Sequence, residues 1–333
     1  MGTSKAPRIS VVIPTWNRAD SLKKALKALT AQTLEPDEFE VIVIDDGSSD
    51  ATHQIVDLFR DNLLVTYLHQ ENAGVAAAKN RGIEQACSPL LLFMDDDDVA
   101  SPTLLEEHIW SHEQYPHPSV AILGLTELSS QVASNPLMHF VTEVGFYLFC
   151  YPNIPVDEWL DYTYFWGGRS SCKTVLLRDH GRFNPVFRFG CEDIELGYRL
   201  SRFGLRVLYN PRAVSTMVRA IGFDDFCTRV ERQGESNWLF SEIHPVDEVR
   251  AWCDIPRAQE RWPKLENDFE TILTKARHLD RIASLRVQEG FELDGFLVTE
   301  LHRAYWQSFD GCRWRGIARQ RENANGLLMI TKS

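Results

Sequence analysis

Nowhere in the 333 residues does an apolar run approach the roughly 20 that a membrane-spanning helix needs. The opening Met1 to Pro7 also lacks the apolar core of a secretory leader. The expectation is a cytoplasmic protein, at most peripheral at the inner face of a membrane. Basic residues are scarce. Lys and Arg number 35 against 47 Asp and Glu, a formal net charge of -12, which leaves no general attraction for nucleic acid or an anionic surface. Any phosphate site must therefore be local. The seven cysteines (Cys87, Cys150, Cys172, Cys191, Cys227, Cys253 and Cys312) are odd in number and scattered. They lack the close spacing of zinc or redox motifs, which fits a reducing compartment. Internal repeats and low-complexity tracts are missing too. What remains is an ordinary globular composition, 44% hydrophobic and 25% charged, long enough for one large domain or two smaller ones.

Four apolar, mostly β-branched runs read as buried strands: Ile9 to Ile13, Phe39 to Ile44, Leu63 to Leu68 and Leu90 to Met94. Helical periodicity fills the gaps, from Ser21 to Ala31, Asp50 to Arg60 and Gly74 to Ala86. Alternation of strand and helix predicts an α/β fold with a mainly parallel sheet, and such sheets bind ligands at the carboxyl ends of their strands. The polar signals stand at those ends: Pro14-Thr15-Trp16-Asn17, Asp45-Asp46-Gly47-Ser48 and Asp95-Asp96-Asp97-Asp98. A further helix is predicted over Ala100 to Tyr115, with Ser101 as its N-cap and Pro102 in its first turn. It sets His108 and His112 one turn apart, and without a third ligand a surface helix is the expectation. Residues 116–164 read as connecting strands and loops. The chain turns helical after Asn210-Pro211, with Leu265, Phe269, Ile272 and Leu273 at helical spacing, and the last dozen residues read as frayed.

The aspartate run is the sharpest feature. Four consecutive carboxylates after an apolar strand repel one another unless a positive group neutralises them. Magnesium or manganese suits such hard oxygen ligands and shares its coordination shell with substrate phosphates. In an extended chain Asp95 and Asp97 would face the same side. The alternative reading is an acidic turn that caps the next helix through Asp98.

The run, with its surroundings, resembles the Asp-X-Asp element of family-2 glycosyltransferases of the GT-A fold. Val11 to Arg18, Val43 to Asp50 and Asn72 to Gly82 are similar to that family's first three signatures in order and spacing, with Lys79 where the family commonly has arginine. A later stretch, Gly181 to Pro211, resembles its Glu-Asp segment around Glu192 and Asp193. The resemblance implies a Rossmann-like GT-A domain at 9–220, comprising a nucleotide-binding half at 9–100 and an acceptor half at 101–220. A flexible lead at 1–8 and a helical C-terminal extension at 221–333 complete the chain.

By position, the resemblance implies that Thr15, Trp16 and Asp46 hold the nucleotide base, with Pro14 beside them in the donor site, and that Lys79 approaches the ribose and diphosphate. Trp16 read on its own could equally be a core aromatic, and Asp50 is a helix cap. Asp95, Asp96, Gly168 and Glu192 complete the donor site, with Mn2+ or Mg2+ held by Asp95 and Asp97. Asp193 is implied as the base that deprotonates the acceptor hydroxyl. Arg169 stands in the Gly167-Gly168 loop where the family often has a small polar residue. Many relatives have a metal-binding histidine after the segment Asn210 to Val214, but Ser215-Thr216-Met217 follows here, and a thioether is a poor ligand for these ions. Arg229, Arg232 and Gln233 read as an exposed helical face or as diphosphate ligands. The activity implied is inverting transfer from a nucleoside-diphosphate sugar, UDP-sugar foremost, to a hydroxyl of a glycan, glycolipid or small molecule. Partners through the C-terminal helices are a membrane surface or a second copy. A non-catalytic nucleotide-sugar-binding scaffold and a sugar nucleotidyltransferase are the other readings; the latter lacks its glycine-rich triphosphate loop near Pro14.

Overall fold

A computed structural model describes the backbone of residues 6–330 and side chains as far as residue 324. The chain divides into two compact units. The first contains residues up to Ser129, Asn153–Arg188 and Glu192–Arg219, and the second contains Ser130–Pro152, Phe189–Cys191 and the residues from Ala220 onward. Two shorter stretches, 130–152 and 189–191, thus belong to the second unit with the residues from 220 onward. Of the expected flexible lead, residues 1–5 lie outside the described residues.

In the first unit β1 (Ile9–Thr15), β2 (Phe39–Asp45), β3 (Val65–His69) and β4 (Leu90–Phe93) are the four predicted strands. They lie parallel in the order β3-β2-β1-β4. Alternation explains why the runs are continuously apolar. Ile9, Val11 and Ile13 share a core with Leu22, Ala25, Leu26 and Leu29 of α1 (Ala19–Leu29). Val12, pointing the other way, meets α3 (Val75–Gln85), which follows α2 (Thr52–Asp57). The sheet continues through β8 (Ser170–Lys173), β6 (Val120–Leu128), β9 (Arg206–Met217) and β5 (Asp98–Ala100), with β7 (Trp159–Leu160) also on β9. The β4–β8, β8–β6, β9–β5 and β9–β7 pairings are antiparallel and β6–β9 is parallel.

Beyond β5 the expected helix begins later than predicted: α4 spans Leu104–Gln114 with Thr103 at its N-cap, and the Ser101 hydroxyl has no hydrogen-bond partner. Asp98 to Ala100 was instead drawn into a strand by pairing with Ser215 to Met217, a long-range contact that local cap signals do not contain. The other helices of this unit are α7 (Thr174–His180) and α8 (Glu192–Ser201).

The second unit is helical. It opens with α5 (Ser130–Ala133) and α6 (Pro136–His139), which runs into a π-helical turn over Phe140–Val144. This part of 116–164 is therefore helical and not a connecting loop. The larger helices are α9 (Phe223–Ile243), α11 (Ile255–Leu265), α12 (Phe269–Gln288) and α13 (Gly295–Ile330), with a short α10 (Asp247–Trp252). The last dozen residues, expected to be frayed, are helical to Ile330, and 331–333 lie outside the described residues. Phe140 supplies the aromatic centre, with its ring 5.0 Å from Tyr305 and 6.1 Å from Phe309. Two glycines let α9 and α13 touch backbone to backbone: a Cβ on Gly234 would lie 2.1 Å from the Arg313 carbonyl oxygen, and one on Gly316 2.0 Å from that of Glu231.

Gly82 plays the same part beneath the sheet, where a Cβ would fall 2.4 Å from Val12 Cγ1 and 2.9 Å from Ile44 Cδ1. Gly82→Ala is expected to lower the unfolding free energy by about 1–3 kcal/mol through overpacking, read as a reduced urea midpoint. An unchanged midpoint would show that α3 can lift off β1 and β2 without cost.

Candidate active site

The acidic run leaves β4 at the sheet's carboxyl edge and turns sharply. The Asp98 N–H donates to the Asp95 carbonyl over 3.3 Å, and the Asp95 N–H donates to the Gly168 carbonyl over 3.2 Å. A turn, unlike a strand, does not set alternate side chains on one face. Within this turn Asp95 shares a cation with Asp98, and Asp96 shares one with Asp97. Arg169 Nη2 lies 2.9 Å from Asp95 and 3.5 Å from Asp98. Arg18 Nη1 lies 2.9 Å from Asp96 and 3.8 Å from Asp97. A third guanidinium, Arg219, donates to Asp97 Oδ2 over 2.7 Å.

Of the four side chains only that of Asp95 is substantially exposed, at 38%, against 6% or less for the others. Burial pushes the Asp96 carboxyl up to about 6 against the pull of Arg18, and the Asp98 carboxyl up to about 7 against that of Arg169. Asp98 also accepts from Ser215 and Thr126 over 3.2 and 3.3 Å, while its Oδ1 has no partner. Buried in β5, it is not the cap of α4.

Met217 sits opposite Asp98 in the β5–β9 register. Two residues on, Arg219 reaches the Asp97 carboxylate. Asp95 and Asp97 are hard oxygen donors of the kind that magnesium takes, one or two at a time, beside phosphates and water. The donor type fits a metal, but both carboxylates already carry a guanidinium. Among the described residues no group of three His, Cys, Asp or Glu side chains is gathered to hold one.

Across the Gly167-Gly168 loop stands the Glu192-Asp193 pair at the start of α8. The Gly167 N–H donates to Asp193 Oδ2 over 2.8 Å, and the Ile194 N–H donates to Oδ1 over 2.8 Å. Both glycines are required by contact. A Cβ on Gly168 would fall 2.3 Å from Asp95 Oδ2, and one on Gly167 2.5 Å from Lys79 Nζ and 3.0 Å from Asp193 Cβ. Burial, then the neighbouring charge of Glu192, raises the Asp193 carboxyl to about 6, although Lys79 opposes the shift. Lys79 is 2% exposed and its ammonium donates to Glu192 Oε1 over 2.9 Å.

The expected nucleotide end is more heavily bonded than the sequence suggests. Pro14 is half-buried near the end of β1, and the Thr15 hydroxyl is already given to Asp96 Oδ2 over 2.7 Å. Buried Asp46 accepts from Gln70 Nε2 and from the Ala73 and Gly74 N–H groups, at 2.7 to 2.9 Å. It therefore shapes the loop at 70–74. Trp16 is 53% exposed, which excludes the core-aromatic reading. Asp50 is not itself the N-cap of either helix, positions held by Arg18 and Ala51, but it accepts the Ala19 N–H at the head of α1 and the Thr52 N–H at the head of α2.

His108 and His112 are buried, which corrects the surface reading. Both bond to the Ser171 hydroxyl, through Nδ1 at 2.8 Å and Nε2 at 2.9 Å respectively. Burial drives the His108 ring down to about 3, so it is neutral. In the second unit Arg229 and Arg232 lie over the Phe189 ring, at 5.2 and 4.6 Å. No sequence motif gives a role to Arg18 or Arg219. Their one signal was position, directly after a strand that ends at the acidic edge.

Residues 10–151 match the family described as Glycosyl transferase family 2. The chain is 35% identical over 226 residues to validoxylamine A glucosyltransferase of Streptomyces hygroscopicus subsp. limoneus, covering 61% of this chain and 50% of that one. It is 42% identical over 98 residues to glycosyltransferase AglE of Haloferax volcanii, covering 28% and 32%. It thus spans half or less of the length of these relatives. Among solved structures it is similar to S. aureus TarS 1–349 in complex with UDP, with a TM-score of 0.55 and 19% identity, covering 94% of this chain and 91% of that one. It is similar also to the mannosyltransferase PcManGT of Pyrobaculum calidifontis in complex with GDP-Man and Mn2+, with a TM-score of 0.57 and 17% identity, covering 93% and 88%. These likenesses establish the fold as GT-A.

Arg169→Met leaves Asp98 buried without its cation, which is expected to cost about 3–5 kcal/mol of stability. The loss should be greater at pH 8 than at pH 5.5. Asp98 has a folded-state pKa above that of the unfolded chain, so at the lower pH it takes a proton and escapes the penalty. Denaturant unfolding at both pH values checks this, and equal losses would contradict it.

Proposed function

We propose, from the match of residues 10–151 to glycosyl transferase family 2 and the GT-A fold, that this chain transfers a sugar, with inversion, from a nucleoside-diphosphate sugar to a hydroxyl acceptor. One observation carries the reading. The glycine pair Gly167-Gly168 lies against Asp95 on one side and Asp193 on the other, so a metal-binding carboxylate and a proton acceptor border one short, side-chain-free stretch of backbone.

In this proposal the exposed Trp16 indole stacks on the base, and Thr15 and Asp46 support that end by fixing Asp96 and the loop at 70–74. The diphosphate lies beside Asp95 and Asp97, the two side chains that would hold Mn2+ or Mg2+. When bound, the metal offsets the charge that develops on the departing diphosphate. Asp193 takes the acceptor's proton as that oxygen forms the new bond to the anomeric carbon and the bond to the diphosphate breaks. The Gly167 N–H holds the carboxylate in place. UDP-sugar is the favoured donor, supported by the resemblance and by the fold shared with TarS; a GDP-sugar, as with PcManGT, is its competitor. A non-catalytic nucleotide-sugar binder is the second reading, favoured by the guanidinium that Arg219 places on Asp97.

Asp193→Asn should keep UDP affinity and reduce transfer by roughly 10²–10⁴-fold, whereas Asp97→Ala should lose the metal-promoted part of UDP binding in titration calorimetry with Mn2+ and with chelator. Wild-type kcat/KM should fall on the acid side with a midpoint near 6, because only ionised Asp193 accepts a proton. UDP release from no common UDP-sugar, with Mn2+ and simple acceptors present, would favour the binder.

A further inference from the structure

The chemistry proposed above uses Asp193 and the acidic run, yet the most thoroughly buried charge beside them is Lys79. Its side chain is 3% exposed and it projects from α3, with its ammonium 2.9 Å from Glu192 Oε1 and 5.2 Å from the centre of the Phe183 ring. Gly167 roofs it so closely that a single added methyl carbon there would fall 2.5 Å from Nζ. A donor phosphate cannot reach this ammonium while the glycine loop stays in place. A lysine concentrates its charge in a compact head where arginine spreads a planar fork, so lysine suits this narrow seat.

The charged groups facing Asp193 are Lys79 from α3 and Glu192 beside it on α8, while Asp95 at the end of β4 also acts on Lys79. Two adjacent carboxylates at low exposure each disfavour the other's ionisation, and one ammonium between elements relieves both. We propose that Lys79 is a positioning residue for Asp193: its ammonium, seated under Gly167 and paired to Glu192, keeps the neighbouring carboxylate available as the proton acceptor and does not meet the donor diphosphate. This rests on the reading of Asp193 as that acceptor. In agreement, the positive charge of Lys79 opposes the burial and the Glu192 charge that push the Asp193 carboxyl up.

The test separates donor binding from proton transfer in Lys79→Met, Glu192→Gln and the double variant, with Asp193→Asn as reference. Lys79→Met is expected to hold UDP, in the presence of Mn2+, within about threefold of wild type by calorimetry, a shift too small for loss of a charged phosphate contact. Its acid limb of kcat/KM should move up by about one pH unit, which is a tenfold loss of the ionised form well below the midpoint. Glu192→Gln should move the limb down, and the double variant should lie between the two singles. A tenfold or greater loss of UDP affinity in Lys79→Met with an unmoved limb would overturn the inference in favour of a phosphate contact. Should Lys79→Met not fold, Glu192→Gln decides alone, because an unmoved limb there removes the coupling. Undiminished transfer by Asp193→Asn would instead sink the assignment of Asp193, a result distinguishable from failure of the Lys79 inference.

Discussion

Compensation of the charge on four consecutive carboxylates governs the first unit. Three of the four side chains are 6% exposed or less, where unpaired charge is costly. Arg18, Arg169 and Arg219 supply the opposing charge from the loop after β1, the loop before β8 and the end of β9 respectively. Each of these segments must therefore arrive at the end of β4 in register. The β5–β9 pairing, the turn at 95–98 and the hydroxyls of Thr15, Thr126 and Ser215 follow from the same demand. A polar network of this kind is stable only when nearly every member is satisfied.

The second charge centre, Lys79 with Glu192 and Asp193, obeys the same rule on a smaller scale. The two centres are separated by two glycines whose missing side chains are what allow Asp95 and Asp193 to approach one loop. Electrostatic preorganisation requires dipoles and charges that are already oriented before reaction. Here the Gly167 N–H, the Ile194 N–H and the ammonium of Lys79 are so oriented by backbone and burial. A carboxylate that already carries a guanidinium presents a weaker field to any further cation, and Arg219 does this to Asp97.

The parallel half of the sheet was legible because its strands are uninterrupted apolar runs between amphipathic helices, and the edge at which function gathers follows from that topology. Asp193, the glycine pair and the acidic run were legible as ordered motifs. Other features depended on contacts distant in sequence. Ser101 does not cap α4, because Ser215 to Met217 draw residues 98–100 into a strand. His108 and His112 look like surface residues on a helix, yet both turn inward to the hydroxyl of Ser171, some sixty positions away. Residues 130–152 have weak periodicity because Phe140 and Tyr147 pack against aromatics near residue 305.

The repulsion among Asp95 to Asp98 is a property of the sequence alone, and so is the need for a cation beside them. Which cation answers it is a question of three-dimensional position. Local patterning dictates strands, helices and motif order because hydrophobic periodicity and backbone preference act within a few residues. The guanidinium on each aspartate, the lysine beneath the glycine loop and the bonds that saturate Asp46 depend on segments brought together by the sheet. Electrostatic energy depends on the distance and burial of each pair, and neither exists before the chain has folded.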